Sequence, residues 1–388
     1  MQAPPPPAGP AHRPAALHSV QAGRAAAAVA VTAFHLSLMM GDPRYGGEAV
    51  LEDWTALGKA GVDFFFVLSG FIVLHAHAAD IGKPAAVGRS LWRRFARVYP
   101  VYWVYLLGLL ALLALGIGSE AGLPASTAEW VSAFMLVRLS SADMPLFVAW
   151  TLFHEVAFYL AFAALILHRV LGAAVLAAWA VGCVLAFQYP GEHPPGAWVT
   201  YSSMANLNFL IGMGAWVLFH RGWGRGPMLG LGVLLVLGIP LAEGLGSATG
   251  PLVMALGFGA LLAGMCGLEA EPPRWLRGMR WPRAWLAVGD ASYSLYLLHL
   301  PLCGLLLKAC AAGGWLALTT RAASAAPAAG HAALLVYALV LAAVIALSWL
   351  AYAAVERPLV AALQQMGPHQ AKRPPEGGRL SVGCAGKI

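Results

Sequence analysis

Long apolar runs dominate the chain, at about 22–40, 57–78, 99–118, 146–168, 170–188, 203–220, 228–243, 249–268, 286–307 and 333–355. Most approach the roughly 20 apolar residues that a spanning helix needs. The pattern predicts an all-α, polytopic membrane protein of about ten transmembrane helices. The 228–243 run is short and interrupted by Pro240, so it could be tilted or broken, and only His168-Arg169 divides the fourth run from the fifth. Residues 1–19 are rich in Pro and Ala and lack the apolar stretch of a secretory signal. They are expected to form a disordered cytoplasmic tail. A transmembrane domain is expected over 20–358 and a second polar cytoplasmic tail over 359–388.

Composition agrees with this reading. Of 388 residues, 60% are hydrophobic and 11% charged, whereas soluble domains carry about 25% charged residues. A soluble globule, a disordered chain and a disulfide scaffold are excluded. The formal net charge is +7. On ten spans with the amino terminus inside, all of the 24 Lys and Arg except Arg44, Lys59, Arg138, Lys308 and Arg321 fall on the side of the two termini. Cytoplasmic loops carry such an excess, so both termini are expected in the cytoplasm and the charge does not require nucleic acid. The five cysteines form no CxxC or Cys/His ligand cluster, so neither a metal site nor a disulfide framework is expected.

Ionisable groups inside spans are costly and mark function by default. In the first span, Arg24 and His35 are eleven residues apart. At 100° per residue they fall within about 20° of one helix face, about 16.5 Å apart along the axis. Arg24 is expected at the cytoplasmic mouth and His35 in the outer half. Asp63, in GVDFFFVLSGF (61–71), is expected near the depth of His35, where it could orient the imidazole; Ser69-Gly70 reads as a helix-packing pair. In RRFARVYPVYW (93–103), Arg94 and Arg97 are neighbours at a helix end, with Tyr99, Tyr102 and Trp103 at the interface. This is an inside anchor with an aromatic belt, or a polyanion site, since guanidinium forks grip phosphates. Glu155, in WTLFHEVAFYL (150–160), lies near mid-bilayer and needs a partner or a proton. Its neighbour His154 points elsewhere on the helix. Ser292, Tyr296 and His299 form a polar stripe on one face of the ninth span, read as an interhelical network or a site.

In order, these segments resemble the acyltransferase-3 family of integral-membrane acyltransferases. The matching pieces are Arg24 with His35, GVDFFFVLSGF, RRFARVYP, WTLFHEVAFY, Phe209 with Gly212, SYSLYLLHLP, and VERP at 355–358. The opening SVQAGRAAAAVAVTAFH is similar to the branch that O-acetylates bacterial exopolysaccharides. Gly23 stands where the family commonly has Leu, and Thr151 where it commonly has Ser.

The resemblance implies an enzyme of the bacterial inner membrane that takes an acyl group, usually acetyl from acetyl-CoA, on the cytoplasmic side. It delivers that group to a hydroxyl of a glycan or lipid-linked precursor. The implied catalytic residues are Arg24, His35 and Glu155, with Arg94 and Arg97 tied to CoA use. Arg93 adds to the basic mouth, and Asp63 or Glu155 would orient the site. His35 could act as general base or carry the acyl group transiently. No metal is implied, and polysaccharide assembly proteins are possible partners. The competing readings are a proton-coupled transporter or flippase using Asp63, Glu155 and Asp290, and an idle scaffold for polysaccharide assembly.

Overall fold

The computed structural model describes residues 17–45, 50–117, 122–191, 196–223, 225–242, 250–315 and 328–367. Nearly all of the expected first tail, most of the second, Arg321 and Cys384 lie outside the described residues. The chain is all-helical. Its principal helices are α1 (His18–Gly41), α2 (Gly61–His77), α3 (Val87–Ala114), α4 (Thr127–Met135), α5 (Trp150–Leu167), α6 (Arg169–Gln188) and α7 (Leu207–His220). They continue as α8 (Arg225–Ala242), α9 (Gly250–Ala270), α10 (Arg283–Asp290), α11 (Ser292–Ala312), α12 (Ala328–Ala351) and α13 (Arg357–Met366).

Among the described residues nine helical stretches are long and apolar enough to cross a membrane, and the chain is a polytopic membrane protein. The expected 228–243 span corresponds to a shorter apolar helix, Arg225–Gly238, inside α8. Contacts nevertheless give α8 the place of a tenth pass. It runs antiparallel along α9, where Cβ atoms built on Gly232 and Gly264 would meet Leu261 and Leu229. The end of α9 returns to the start of α1, where the Glu269 carboxylate accepts the backbone N–H groups of His18 and Ser19, each at 2.7 Å. A carboxylate at a helix start satisfies otherwise orphaned donors and suits the helix dipole. α1 therefore starts at His18, inside the segment expected as tail. At the other terminus, 359–366 is likewise helical, with Leu359 and Val360 packed on the main core.

Close crossings hold the bundle. α2 and α7 approach through a reciprocal pair: a Cβ on Gly70 would come within 1.9 Å of the Phe209 carbonyl, and one on Gly212 within 1.8 Å of the Val67 carbonyl. Gly23 accommodates Phe64, whose ring a Cβ would meet at 2.7 Å, so the departure from Leu at this position makes room for an aromatic on α2.

The segment between α3 and α5 folds back against the bundle through α4. Ser126 and Glu129 form a capping box, with Ser126 Oγ accepting from the Glu129 N–H (3.3 Å) and Glu129 accepting from Ser126 Oγ (3.0 Å) and the Ala125 N–H (2.8 Å). At the far end of α4, Tyr102, Trp103 and Tyr99 donate to the carbonyls of Ala133, Phe134 and Met135 at 2.6, 2.9 and 2.9 Å. These α3 aromatics therefore cap a helix instead of forming the expected interfacial belt. A buried helix end needs such donors for its orphaned carbonyls.

Filling the α2–α7 crossing should destabilise the fold. We expect Gly70→Ala and Gly212→Ala each to cost about 1–3 kcal/mol by overpacking, while Gly214→Ala, where a Cβ meets nothing within 4 Å, is neutral. Thermal unfolding of the detergent-purified chain, followed by size-exclusion fluorescence, checks this.

Candidate active site

One cavity of about 110 Å³, partly open to solvent, lies among α1, α2, α3, α5 and α11. Its basic wall is made by Arg24, Arg94 and Arg97. Val62, Phe65, Phe66, Ser69 and Ile72 form the α2 wall, following helical spacing along a single stripe. Glu155, Tyr159 and Thr151 come from α5, and Ser292, Tyr293 and Tyr296 from α11.

The polar groups are bound to one another across helices. Arg24, only 6% exposed, donates from Nε to Ser292 Oγ at 3.0 Å. Glu155 accepts from Ser69 Oγ at 3.2 Å and from the Tyr159 hydroxyl one turn away. The Arg94 guanidinium sits over the Tyr159 ring, 5.6 Å from its centroid, while its buried Nε has no hydrogen-bond partner. Buried donors are nearly always satisfied, so an unused guanidinium N–H on a cavity bearing three arginines and one carboxylate suits an anion. Tyr296 and Thr151 place their hydroxyls 3.0 Å apart, and both approach the Val148 carbonyl (3.2 and 3.1 Å). Thr151 thus uses the hydroxyl that it shares with the more usual Ser.

Glu356 supports this arrangement from the last pass. It lies in a π-helical turn, Tyr352–Glu356, and accepts from the Ser294 N–H (3.1 Å) and Oγ (2.5 Å) in the first turn of α11. Tyr105 completes the cluster with a hydroxyl contact to Ser294 Oγ at 2.7 Å. The start of α11, like that of α1, is thus held by a carboxylate, buried in the case of Glu356.

The expected residues divide. Arg24, Arg94, Arg97 and Glu155 share the cavity; His35, Asp63 and Arg93 are not among its lining residues. His35 lies further along α1, with Nδ1 donating to the Val31 carbonyl at 2.9 Å and standing 3.2 Å from His299 Nε2. The connection to the cavity passes Tyr296, which lines it and whose ring is 5.9 Å from that of His299. Asp63 does not share the depth of His35. Its carboxylate accepts from Asn208 Nδ2 at 2.8 Å, and its neighbours Gly61 and Phe64 pack on Ala27 and Gly23, towards the Arg24 end. The second pass starts at Glu52, before α2 itself, so Gly58 and not Asp63 meets Phe34. His154 faces away from the cavity and pairs with Asn206 at 2.8 Å.

Ser69-Gly70, expected as a helix-packing pair, divides: Gly70 packs at the α2–α7 crossing, while the Ser69 hydroxyl enters the site and donates to Glu155. That role was accessible in the sequence, Ser69 being in register with Val62, Phe65 and Phe66 on one helical stripe. Glu356 was marked in the sequence by the VERP match at 355–358, but with no role attached to it.

An acyltransferase family 3 profile, described as an acyltransferase domain, matches residues 17–353. The exopolysaccharide production protein ExoZ of Rhizobium meliloti (strain 1021) is 32% identical over 272 residues, covering 63% of this chain and 76% of that protein. No solved structure matches the chain. With the cavity bounded by the motif residues and the profile running through all but its ends, the chain belongs to the acyltransferase-3 family of membrane acyltransferases.

Proposed function

We propose that the protein is an O-acyltransferase moving an acetyl group from acetyl-CoA to a hydroxyl of a surface or exopolysaccharide glycan, or of its lipid-linked precursor. The observation that carries this is the convergence of Arg24, Arg94 and Arg97 on one cavity at the start of α1, with His35 further along the same helix. Acetyl-CoA has anionic phosphates at one end and a long, thin arm ending in a thioester. The arginines hold the phosphates, and the arm reaches past Phe65 and Tyr296 towards His35. Arg93, on the same turn as Arg94, adds positive potential to the approach. The excess of basic residues at this end supports a cytoplasmic donor side and a bacterial inner-membrane location.

The transfer balances simply. The acceptor hydroxyl oxygen attacks the thioester carbonyl as His35 takes its proton. The C–S bond then breaks, and the departing thiolate recovers the proton from His35. Glu155, held by Ser69 and Tyr159, sets the opposite wall and offsets part of the arginine charge. Asp63 acts at one remove, tying α2 to α7 through Asn208. The similarity to a protein named for exopolysaccharide production supports the acceptor class.

His35→Ala should abolish acetylation while leaving expression and membrane insertion unchanged. The check is NMR of O-acetyl signals on the surface polysaccharide of a deletion strain carrying the variant, and normal signals would refute the role. Arg94→Ala/Arg97→Ala should raise the KM for acetyl-CoA by about 10–100-fold, as expected for losing charge-assisted bonds of ~1.5–3 kcal/mol. Activity should then recover partly at high acetyl-CoA. A KM equal to that of the parent would leave these arginines as topological anchors only.

A further inference from the structure

His299 has no part in the donor cavity, yet it is fully buried and meets His35. We propose that His299 is a positioning residue that fixes the ring orientation of His35 and, together with the Val31 carbonyl, its tautomer, so that Nε2 of His35 is the reacting nitrogen. The proposal rests on the reading of His35 as the general base.

The argument starts from two backbone carbonyls, which only accept hydrogen bonds. His299 Nδ1 is 2.7 Å from the Tyr296 carbonyl, and His35 Nδ1 is 2.9 Å from the Val31 carbonyl. Both Nδ1 atoms therefore carry hydrogen. His35 Nδ1 also stands 3.2 Å from His299 Nε2. Two N–H groups would repel at that distance, so His299 Nε2 is bare and accepts. The rings lie with centroids 5.0 Å apart and planes at 45°. His35 thus shares its Nδ1–H between the Val31 carbonyl and the His299 lone pair. The opposite tautomer would set a bare Nδ1 against two acceptors at once.

With Nδ1 committed, Nε2 of His35 is the nitrogen with a free lone pair, and it has no hydrogen-bond partner among the described residues. As Nε2 receives a proton, the bond from Nδ1–H to His299 becomes charge-assisted and strengthens. The carbonyl of Val31 belongs to the helix that carries His35, so it fixes the tautomer locally. His299 comes from α11 and also fixes where the ring stands relative to Tyr296 and the cavity. A base that is one rotamer away from its substrate loses most of its effect, because proton transfer demands hydrogen-bond reach.

Two measurements test this. In the detergent-purified full chain labelled with ¹⁵N-histidine, the ring resonances of His35, assigned by their loss in His35→Ala, should report the Nδ1–H tautomer. An Nε2–H tautomer overturns the proposal without reference to activity. In membrane vesicles of the producing strain supplied with radiolabelled acetyl-CoA, His299→Leu should lower kcat by at least about tenfold, part of the ~10²–10⁴ that a general base contributes. Its KM for acetyl-CoA should stay at the parental value. His299→Gln, whose amide oxygen can accept in place of Nε2, should recover much of kcat. Parental kcat in His299→Leu, or equal loss in both variants, overturns the positioning role. Retained activity in His35→Ala refutes the base reading instead, and the tautomer measurement still decides the geometry. Should His299→Leu fail to insert, the ring resonances of His299 in the unmodified protein decide, since a protonated Nε2 on His299 overturns the positioning role.

Discussion

The site depends on two helices running in the same direction. α1 and α11 are far apart in sequence, but Gly289 at the end of α10 and Ser292 at the start of α11 meet Gln21 and Arg24, and His299 further on meets His35. Numbers rise together along both helices, so they are parallel. Parallel neighbours in a polytopic chain need an odd number of passes between them, and α8 supplies the one that brings the six longer spans between α1 and α11 to seven. The residue spacing fits as well. Arg24 to His35 spans about 16.5 Å of axis, and Ser292 to His299 about 10.5 Å. The long, flexible arginine side chain can take up the difference.

Low dielectric explains why the polar groups assemble as they do. Charges buried in a membrane domain must be paired or used, and here each finds a partner on another helix. Arg24 reaches Ser292 on α11, Ser69 on α2 reaches Glu155 on α5, and Glu356 reaches Ser294 from the last pass. The same constraint governs the backbone. α4 can turn back into the bundle because three α3 aromatics take its terminal carbonyls, and α1 and α11 start where carboxylates take their first N–H groups. Among the described residues three buried side-chain atoms lack a partner, Gln21 Oε1, Arg94 Nε and Ser348 Oγ. Of these only Arg94 borders the cavity where an anionic donor is expected.

Much of this was legible in the sequence because helical arithmetic is local. Eleven residues return to one face, so Arg24 and His35 could be set on a common line, and Ser292, Tyr296 and His299 could be read as one stripe. The passes followed from composition and length. Depth was less legible. Asp63 was expected level with His35 because the second apolar run was started at 57, but the pass begins at Glu52 and carries Asp63 towards Arg24. Partners across helices were not legible at all. Nothing local to Tyr99, Tyr102 and Trp103 distinguishes an interfacial belt from donors that cap a buried helix, since both need an aromatic with a polar tip. The choice was made by α4, more than twenty residues away.

The division of the site along α1 bears on the chemistry. On the proposed mechanism, a base lining one chamber with the arginines would sit in the positive field proposed to hold the donor's phosphates, and that field opposes its protonation. Separation by three turns relieves the conflict. It also lets Tyr296 take part in both places, with its ring and hydroxyl on the cavity side and its carbonyl held by His299. A shift of α11 against α1 would therefore disturb donor cavity and base together. The two carboxylates that cap these helices, Glu269 and Glu356, are remote from the transfer step, but they help fix the register on which it depends.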